Sequence, residues 1–549
     1  MTTGNGSGRS GRSGRADHFV LAVDLGTGGP KIGLVSLTGC IAWTEHFPVE
    51  TRWLEGGGAV QDADEWWQII ADASRKALAT GPVRPEDVAA VSITGQWAST
   101  VPVDAEGHPV GDCVMWMDTR GAPYSRRVVG GPVAGYAPAA AAAWIRRSGA
   151  PPSPFGDDSL GHMLYLENEQ PEVARASRWY LEPVDYLSMR FTGVAAASPA
   201  SMTASWLTDT RSTRPTRPTR SPRPTRLARQ PGVSGYDPIL IRRSGVNGDR
   251  LPPLRPTVSV IGPVQRSVSK DLGLPESAVV VTGTLDLHSA AVGAGAVIDY
   301  EPHMALSTTS WISCPVPAKK TDLLHQMATV AGLGPDGYLL ANNQDSAGRC
   351  LEWLRTNVLG GMGYPEMFDL AAAVPAGSGD VIFTPWLKGE RCPVADRTAR
   401  GGFHNLSLAA GRPELVRAVL EGVAYNSRWL LAGAESFTDR RLEPIRLIGG
   451  GARSDLWCQI IADVLDRRIE RVADPLHANL RGAAIFAGLA LGEIQPTEVR
   501  ALVPVDRVFR PDRTNRAVYD RLSSELPRLY KAQKGISRRL NRRSTSEGG

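Results

Sequence analysis

Ile445-Arg446-Leu447-Ile448-Gly449-Gly450-Gly451-Ala452-Arg453-Ser454-Asp455-Leu456-Trp457 stops a short apolar run on three glycines and passes at once into an amphipathic stretch that ends at Leu465. Successive glycines allow backbone conformations closed to residues with a Cβ and let a flat ligand approach closely. The helix expected to follow would open on free N–H groups and a positive end, both of which favour phosphate. Gly-rich joins between strand and helix are common, so the loop gains weight only from a partner segment more than four hundred residues earlier.

That partner is Phe19-Val20-Leu21-Ala22-Val23-Asp24-Leu25-Gly26-Thr27-Gly28-Gly29-Pro30-Lys31-Ile32-Gly33-Leu34-Val35. An apolar run, a Gly-rich centre and a second apolar run read as strand, tight turn, strand. Asp24 closes the first strand, where a carboxylate can hold a hydrated Mg²⁺. Thr27 and the backbone N–H groups of Gly26 to Gly29 can cradle phosphate oxygens, with Lys31 as a point charge. The segment is neither a P-loop nor a dinucleotide fingerprint, because it lacks G-K-[ST] and its turn leads to a strand.

Together these residues resemble the FGGY carbohydrate kinases of the actin-like ATPase superfamily, and the xylulokinases most closely. The family opening D-x-G-T followed by Lys or Arg is matched by Asp24, Gly26, Thr27 and Lys31. Its central G-x-x-D-x-x-A-A-x-x-x-G run is matched by Gly283-Thr284-Leu285-Asp286-Leu287-His288-Ser289-Ala290-Ala291-Val292-Gly293-Ala294-Gly295. Three later blocks fall in family order: Pro385 to Pro393 continuing through Ala399–Phe403, Arg417 to Ala424, and Gly449 to Trp457. Trp116-Met117-Asp118-Thr119-Arg120 and Asp185-Tyr186-Leu187 occupy the expected places between them, and the likeness covers residues 19 to 530.

The resemblance implies an α/β fold of two ribonuclease H-like domains facing each other across a catalytic cleft. The expected bounds are 18–297 for the first domain, with the sugar site and phosphate hairpin, and 298–530 for the second, with the ATP site. Alternation of buried strands (Ala90–Thr94, Ala278–Val281, Val381–Thr384, Ile445–Ile448) with a helical pattern over Glu65–Leu78 independently argues α/β. Ala305-Leu306-Ser307-Thr308-Thr309-Ser310 opens the second domain much as Asp24–Thr27 opens the first.

Asp286 is the candidate general base. It follows the strand Val279–Val281 and a Thr282-Gly283 turn, among uncharged neighbours. A carboxylate in an apolar, partly closed cleft has a raised pKa and can accept a proton near neutrality. An Asp after a strand is by itself more often a helix N-cap, and the family match reverses that reading. The resemblance further implies that Asp24 holds Mg²⁺ through water. Thr27, Gly28, Gly29 and Lys31 would grip the phosphates of ATP from one side and Thr308 and Thr309 from the other. Gly450, Gly451 and Asp455 would hold the adenosine end, with Gly348 also facing the nucleotide.

The sugar-facing set is Gln96, Trp97, Ala98, Asp286 and Leu287, and here the chain departs from its relatives. Gly95-Gln96-Trp97-Ala98-Ser99 stands where xylulokinases carry Gly-Gln-Met-His-Gly, so Ala98 removes a histidine contact while Trp97 offers an apolar face for a sugar skeleton. Leu287 replaces the usual Asn or Gln after the catalytic Asp. Thr308-Thr309-Ser310-Trp311 lacks two family glycines, which is expected to narrow the phosphate approach. His288 and His404 have no partner at metal-ligand spacing and read as satisfied polar residues. The implied activity is ATP-dependent phosphorylation of a pentulose such as D-xylulose, or of another ketose or polyol such as ribulose, fuculose or a pentitol. A sugar- or nucleotide-binding sensor of the same fold is the alternative, and retention of Asp286 favours the kinase.

Length and composition bound this reading. A chain of 549 residues exceeds one ordinary core. No apolar run approaches a membrane span, and the Gly/Ser/Arg-rich start is not a secretory signal. Six cysteines without paired spacing read as free thiols of a reducing cytoplasm. Residues 1–17, 209–229 and 531–549 carry 16 basic and 3 acidic residues, so the net charge of +5 comes from these segments and the remaining body is acidic. They contain almost no aromatic residues, which argues against nucleic-acid binding. The two ends, 1–17 and 531–549, are expected to be disordered. The Thr-Arg-Pro repeat inside the low-complexity insert 210–235 is expected to be an extended loop tolerated without function. Family members often dimerise, but the chain carries no interface signature of its own.

Overall fold

β1 (Phe19–Gly26) and β2 (Gly29–Ser36) form the expected hairpin, and β3 (Ile41–His46) extends it. The computed structural model describes residues 18–133, 135–211, 235–323, 325–334 and 337–541. The N-terminal tail and the Thr-Arg-Pro repeat therefore lie outside the described residues. β4 (Val88–Gly95) runs parallel to β1. β5 (Val260–Pro263), β6 (Val279–Val281) and the two-residue β7 (Thr284–Leu285) complete a seven-stranded sheet of order β5-β6-β4-β1-β2-β3, with β7 alongside β4.

Alternate side chains of β1 serve two cores. Leu21, Val23 and Leu25 pack with Trp66, Trp67, Ile70 and Ala77 of α1 (Ala63–Thr80), which is capped by the Asp62 carboxylate. Val20 and Ala22 pack with Ala290 and Val292 of α2 (Asp286–Gly293). Burial on both faces explains why this strand reads as one continuous apolar run.

The second sheet repeats the plan. β8 (His303–Leu306) and β9 (Ser310–Ser313) form a hairpin, β10 (Ile445–Ile448) lies parallel to β8, and β11 (Ile469–Val472) and β12 (Val505–Phe509) follow. The order is β9-β8-β10-β11-β12. α3 (Arg412–Thr438) and α4 (Asp455–Leu465) supply much of its core, including Val419, Val423, Trp457 and Ile461. The two-domain fold implied by the resemblance is thus present.

α5 (Ala478–Ala490) leaves the second half of the chain and packs on the first sheet, its Leu480, Ala483 and Phe486 joining Val20 and Ala22. It crosses α2 at backbone contact distance: a Cβ on Gly293 would lie 1.8 Å from the Ala478 carbonyl oxygen, and one on Gly482 would lie 1.9 Å from that of Ser289. The halves also meet through side chains. Lys319 Nζ donates to the Arg146 carbonyl at 2.9 Å, Tyr338 donates to the Thr210 carbonyl at 2.8 Å, and Arg397 pairs with Asp157.

The tail expected to be disordered from residue 531 is helical as far as Leu540, within α6 (Arg516–Leu540). Each residue added to an existing helix gains a hydrogen bond, and here side chains anchor the extension. Gln533 bonds the His404 ring, and Asn541 donates to the Thr398 carbonyl at 3.0 Å. Residues 542–549 lie outside the described residues.

Candidate active site

Three chain segments meet at the carboxyl ends of β1, β4 and β7. Asp24 pairs with Thr94 across the β1–β4 ladder, and Leu25 and Leu285 both align with Gly95. Register therefore brings Asp24, Gln96 and Asp286 to one edge of the sheet, where α/β folds bind ligands. The first hairpin closes tightly at Gly29, where φ is +115° and a Cβ would lie 2.0 Å from the Phe47 carbonyl oxygen, so only glycine fits. A Cβ on Gly28 would meet nothing within 4 Å, so the turn opens onto free space beside the cleft.

Asp24 is buried and accepts from Lys31 Nζ at 3.2 Å. The negative charge of Asp24 holds the Lys31 ammonium above its usual pKa. The Asp286 carboxyl is pushed up to about 7, first by burial and then by the charge of Asp24; the Leu287 N–H bond and Lys31 pull the other way. Its Oδ1 accepts that Leu287 N–H at 2.7 Å. The oxygen-rich surroundings of Asp24, Asp286 and Thr27 suit a hard, hydrated cation such as Mg²⁺, which takes one or two carboxylates plus water and phosphate. No group of three His, Cys, Asp or Glu forms a closed metal cage among the described residues.

The Thr27 hydroxyl accepts from Trp116 Nε1 at 2.9 Å and donates to Gln96 Oε1 at 3.3 Å. Gln96 is 4% exposed, and its Nε2 has no hydrogen-bond partner among the described residues. The following loop is held from below: Ser99 N–H donates to Glu182 Oε2 at 3.2 Å, and Ala98 takes a φ of +60°. Burial pushes the Glu182 carboxyl well above its usual range.

Leu287, expected in the sugar-facing set, is 5% exposed and clusters with Ala291 and with Val330 and Leu339 of the second half, while Trp97, Trp311 and Ala341 pack against the group. Leu287 and Trp97, both expected to face sugar, thus belong to one apolar seam between the halves. Trp311 shares that seam, with its Nε1 on His303 Nε2 at 3.3 Å.

On the facing wall, Gly348 and Gly449 both press against Ser307: a Cβ on Gly348 would lie 2.6 Å from the Ser307 carbonyl oxygen, and one on Gly449 would lie 2.6 Å from its Oγ. The Thr308 turn, the start of the Gly348 helix and the Gly449–Gly451 loop are therefore one surface. Asp455, at the first turn of α4, is engaged by Arg471 Nη1 at 2.6 Å and by Arg507, an ion-paired frame rather than a free acceptor. His288 Nε2 lies 2.7 Å from the Ala331 carbonyl oxygen and His404 Nε2 lies 3.2 Å from Thr384 Oγ1.

Gln344 and Ser346 were not legible as site candidates. The buried Gln344 Nε2 and Ser346 Oγ, with Ser310 Oγ, have no partner among the described residues, and Ser310 and Gln344 exchange backbone bonds at the second hairpin. Lys388 lies 5.9 Å from the ring centres of both Trp53 and Trp116, reaching from the second half to the first. Only the block around Gly389-Glu390-Arg391 signalled that this loop matters.

The chain matches the FGGY family of carbohydrate kinases, its N-terminal domain over residues 19–213 and its C-terminal domain over 307–491. It belongs to that family and is an ATP-dependent carbohydrate kinase. It is 26% identical to xylulose kinase of Staphylococcus epidermidis over 524 residues, covering 95% of this chain and 98% of that one. It is 22% identical to gluconokinase of Bacillus subtilis over 490 residues, covering 87% and 88%. The structure of a ligand-bound xylulose kinase from Lactobacillus acidophilus superposes with a TM-score of 0.80 at 20% identity, covering 94% of this chain and 98% of that one. Among the described residues no helix is long and apolar enough to cross a membrane.

Proposed function

We propose that the protein transfers the γ-phosphate of ATP to a hydroxyl of a pentulose such as D-xylulose, with Asp286 as general base, in the cytoplasm. The observation that carries this reading is the Asp286 carboxyl, held near neutrality beside Asp24 and Lys31 at the cleft edge. A base needs a pKa near the working pH to accept the hydroxyl proton as the bond to phosphorus forms. Gln96 Nε2 would donate to a sugar hydroxyl and orient it toward Asp286. The hairpin Thr27–Lys31 and the turn at Thr308 and Thr309 would hold the phosphates, with Gly348, Gly450 and Gly451 against the nucleoside. Asp24 would hold Mg²⁺ through water, and the bound ion would neutralise charge on the transferring phosphates. The Asp455 ion pairs would steady the helix beneath the adenosine end.

One observation favours a second reading within the same class. With Ala98 lacking a polar side chain and Leu287 turned into the seam, two amide or imidazole contacts to sugar are gone, which suits another ketose or polyol. The test is coupled ADP release with ATP and Mg²⁺ across D- and L-xylulose, D- and L-ribulose, L-fuculose, gluconate, glycerol and pentitols, beside Asp286→Ala. Turnover with one sugar, abolished in the variant, is expected. ATP binding without sugar-dependent ADP would overturn the catalytic reading and leave a ligand-sensing clamp.

A further inference from the structure

We propose that Trp116 is a positioning residue that locks the sugar loop to the phosphate hairpin through a closed circuit of hydrogen bonds. The inference rests on the placement of sugar at Gln96 and of triphosphate at the first hairpin. Trp116 holds both segments at once. Its backbone N–H donates to Ser99 Oγ at 3.0 Å, on the sugar loop, and its indole Nε1 donates to Thr27 Oγ1 at 2.9 Å, on the hairpin. Thr27 returns the circuit to the sugar loop by donating to Gln96 Oε1 at 3.3 Å. The loop is tied once more to the hairpin strand by the Gln96 N–H, which donates to the Leu25 carbonyl at 2.8 Å.

Donor chemistry gives the circuit a direction. An indole N–H can only donate, so the Thr27 hydroxyl must accept from it. The single hydroxyl hydrogen is then free for Gln96 Oε1, and the structure shows the amide with its oxygen inward. Nε2 is left as the one uncommitted group, buried and without a partner among the described residues. A buried amide donor left unpaired costs free energy that a substrate oxygen recovers on binding. Trp116 therefore sets which atom of Gln96 a substrate meets, without touching the reacting atoms through that bond. The same hydroxyl holds the Thr27 backbone in the turn that would face phosphate, and the Thr27 carbonyl accepts from Gln61 Nε2 at 2.8 Å. Loss of the indole bond loosens both sites together.

Trp116→Phe keeps an aromatic ring and removes the Nε1 donor together with part of the indole, and Thr27→Val removes the hydroxyl. With the sugar that wild type turns over best, each single variant is expected to raise KM for sugar about two- to tenfold, the scale of one hydrogen bond. Each is also expected to raise ATP hydrolysis without sugar relative to sugar phosphorylation. The double variant should match Thr27→Val alone, because both changes break one circuit. Additive effects in the double variant, or a Trp116→Phe enzyme with lowered Tm but unchanged sugar KM and unchanged hydrolysis ratio, would overturn the proposal while leaving the kinase reading intact. Wild type without sugar-dependent turnover would overturn the kinase reading and this inference with it.

Discussion

Asp24 and Lys31 are register partners across the first hairpin, and their charged groups stand 3.2 Å apart at the edge where Asp286 emerges. The pair acts on Asp286 in opposite senses: Asp24 raises its pKa and Lys31 lowers it. Asp24→Asn should move the acid limb of kcat/KM to lower pH, and Lys31→Met should move it to higher pH. Residual activity of both variants across pH 5 to about 9 measures this. Shifts in the same direction would show that the limb belongs to another group.

Asp286→Asn is expected to lower kcat about 10²–10⁴-fold while nucleotide binding survives. The variant also has a stability signature. A carboxyl raised from 3.8 to about 7 in the fold is neutral in both states only well below pH 3.8, so it contributes nothing there. Between those values the unfolded chain ionises first, and the fold is penalised increasingly up to about pH 7. Asp286→Asn should therefore raise Tm much more at pH 8 than at pH 4, as read by calorimetry.

The α2–α5 crossing tolerates no side chain at Gly293 or Gly482. A Cβ at either position meets a backbone carbonyl oxygen at under 2 Å, and backbone cannot rotate aside as a flexible side chain can. Gly293→Ala or Gly482→Ala should cost about 1–3 kcal/mol or more through overpacking. Because the crossing joins the two halves, turnover should fall in the folded fraction as well. Denaturant midpoints and kcat measured together check both outcomes.

Leu287→Asn restores a residue type common in relatives but should not restore a sugar contact. The position lies in the seam with Ala291, Val330 and Leu339, so the amide would be buried without partners. A loss of about 1–3 kcal/mol is expected. Sugar KM should not improve, and a lowered KM for D-xylulose would show that the side chain reaches the cleft.

Much of the site was legible in sequence because short-range rules place it. The hairpin Phe19–Val35 and the Gly449 turn follow from apolar runs interrupted by glycine, and the segment at Thr308 was marked by its likeness to the first. Asp286 stood out through the family match at Gly283, Asp286, Ala290 and Gly293, since an Asp after a strand is by itself more often an N-cap. At Leu287 and Trp97 the sequence was ambiguous, because an apolar side chain beside the candidate base reads the same whether it faces a ligand or a neighbouring domain. The tail beyond residue 530 misled because its charge suggested solvation, while Gln533 and Asn541 anchor it as helix to residues more than one hundred positions earlier.

By itself the sequence determined the local units: a glycine-turn hairpin at Gly26–Gly29 and the strand–loop–helix at Gly449. Hydrophobic period, turn chemistry and the positions of Asp and Gly act over a few residues, so one chain suffices to state them. Only the tertiary structure decided the direction of the Gln96 amide, the engagement of the Thr27 hydroxyl and the inward turn of Leu287. Each depends on partners distant in sequence, Trp116 for the first two and the strands bearing Val330 and Leu339 for the third. Hydrogen bonds and apolar burial choose among otherwise equal rotamers only once folding has brought those partners within reach.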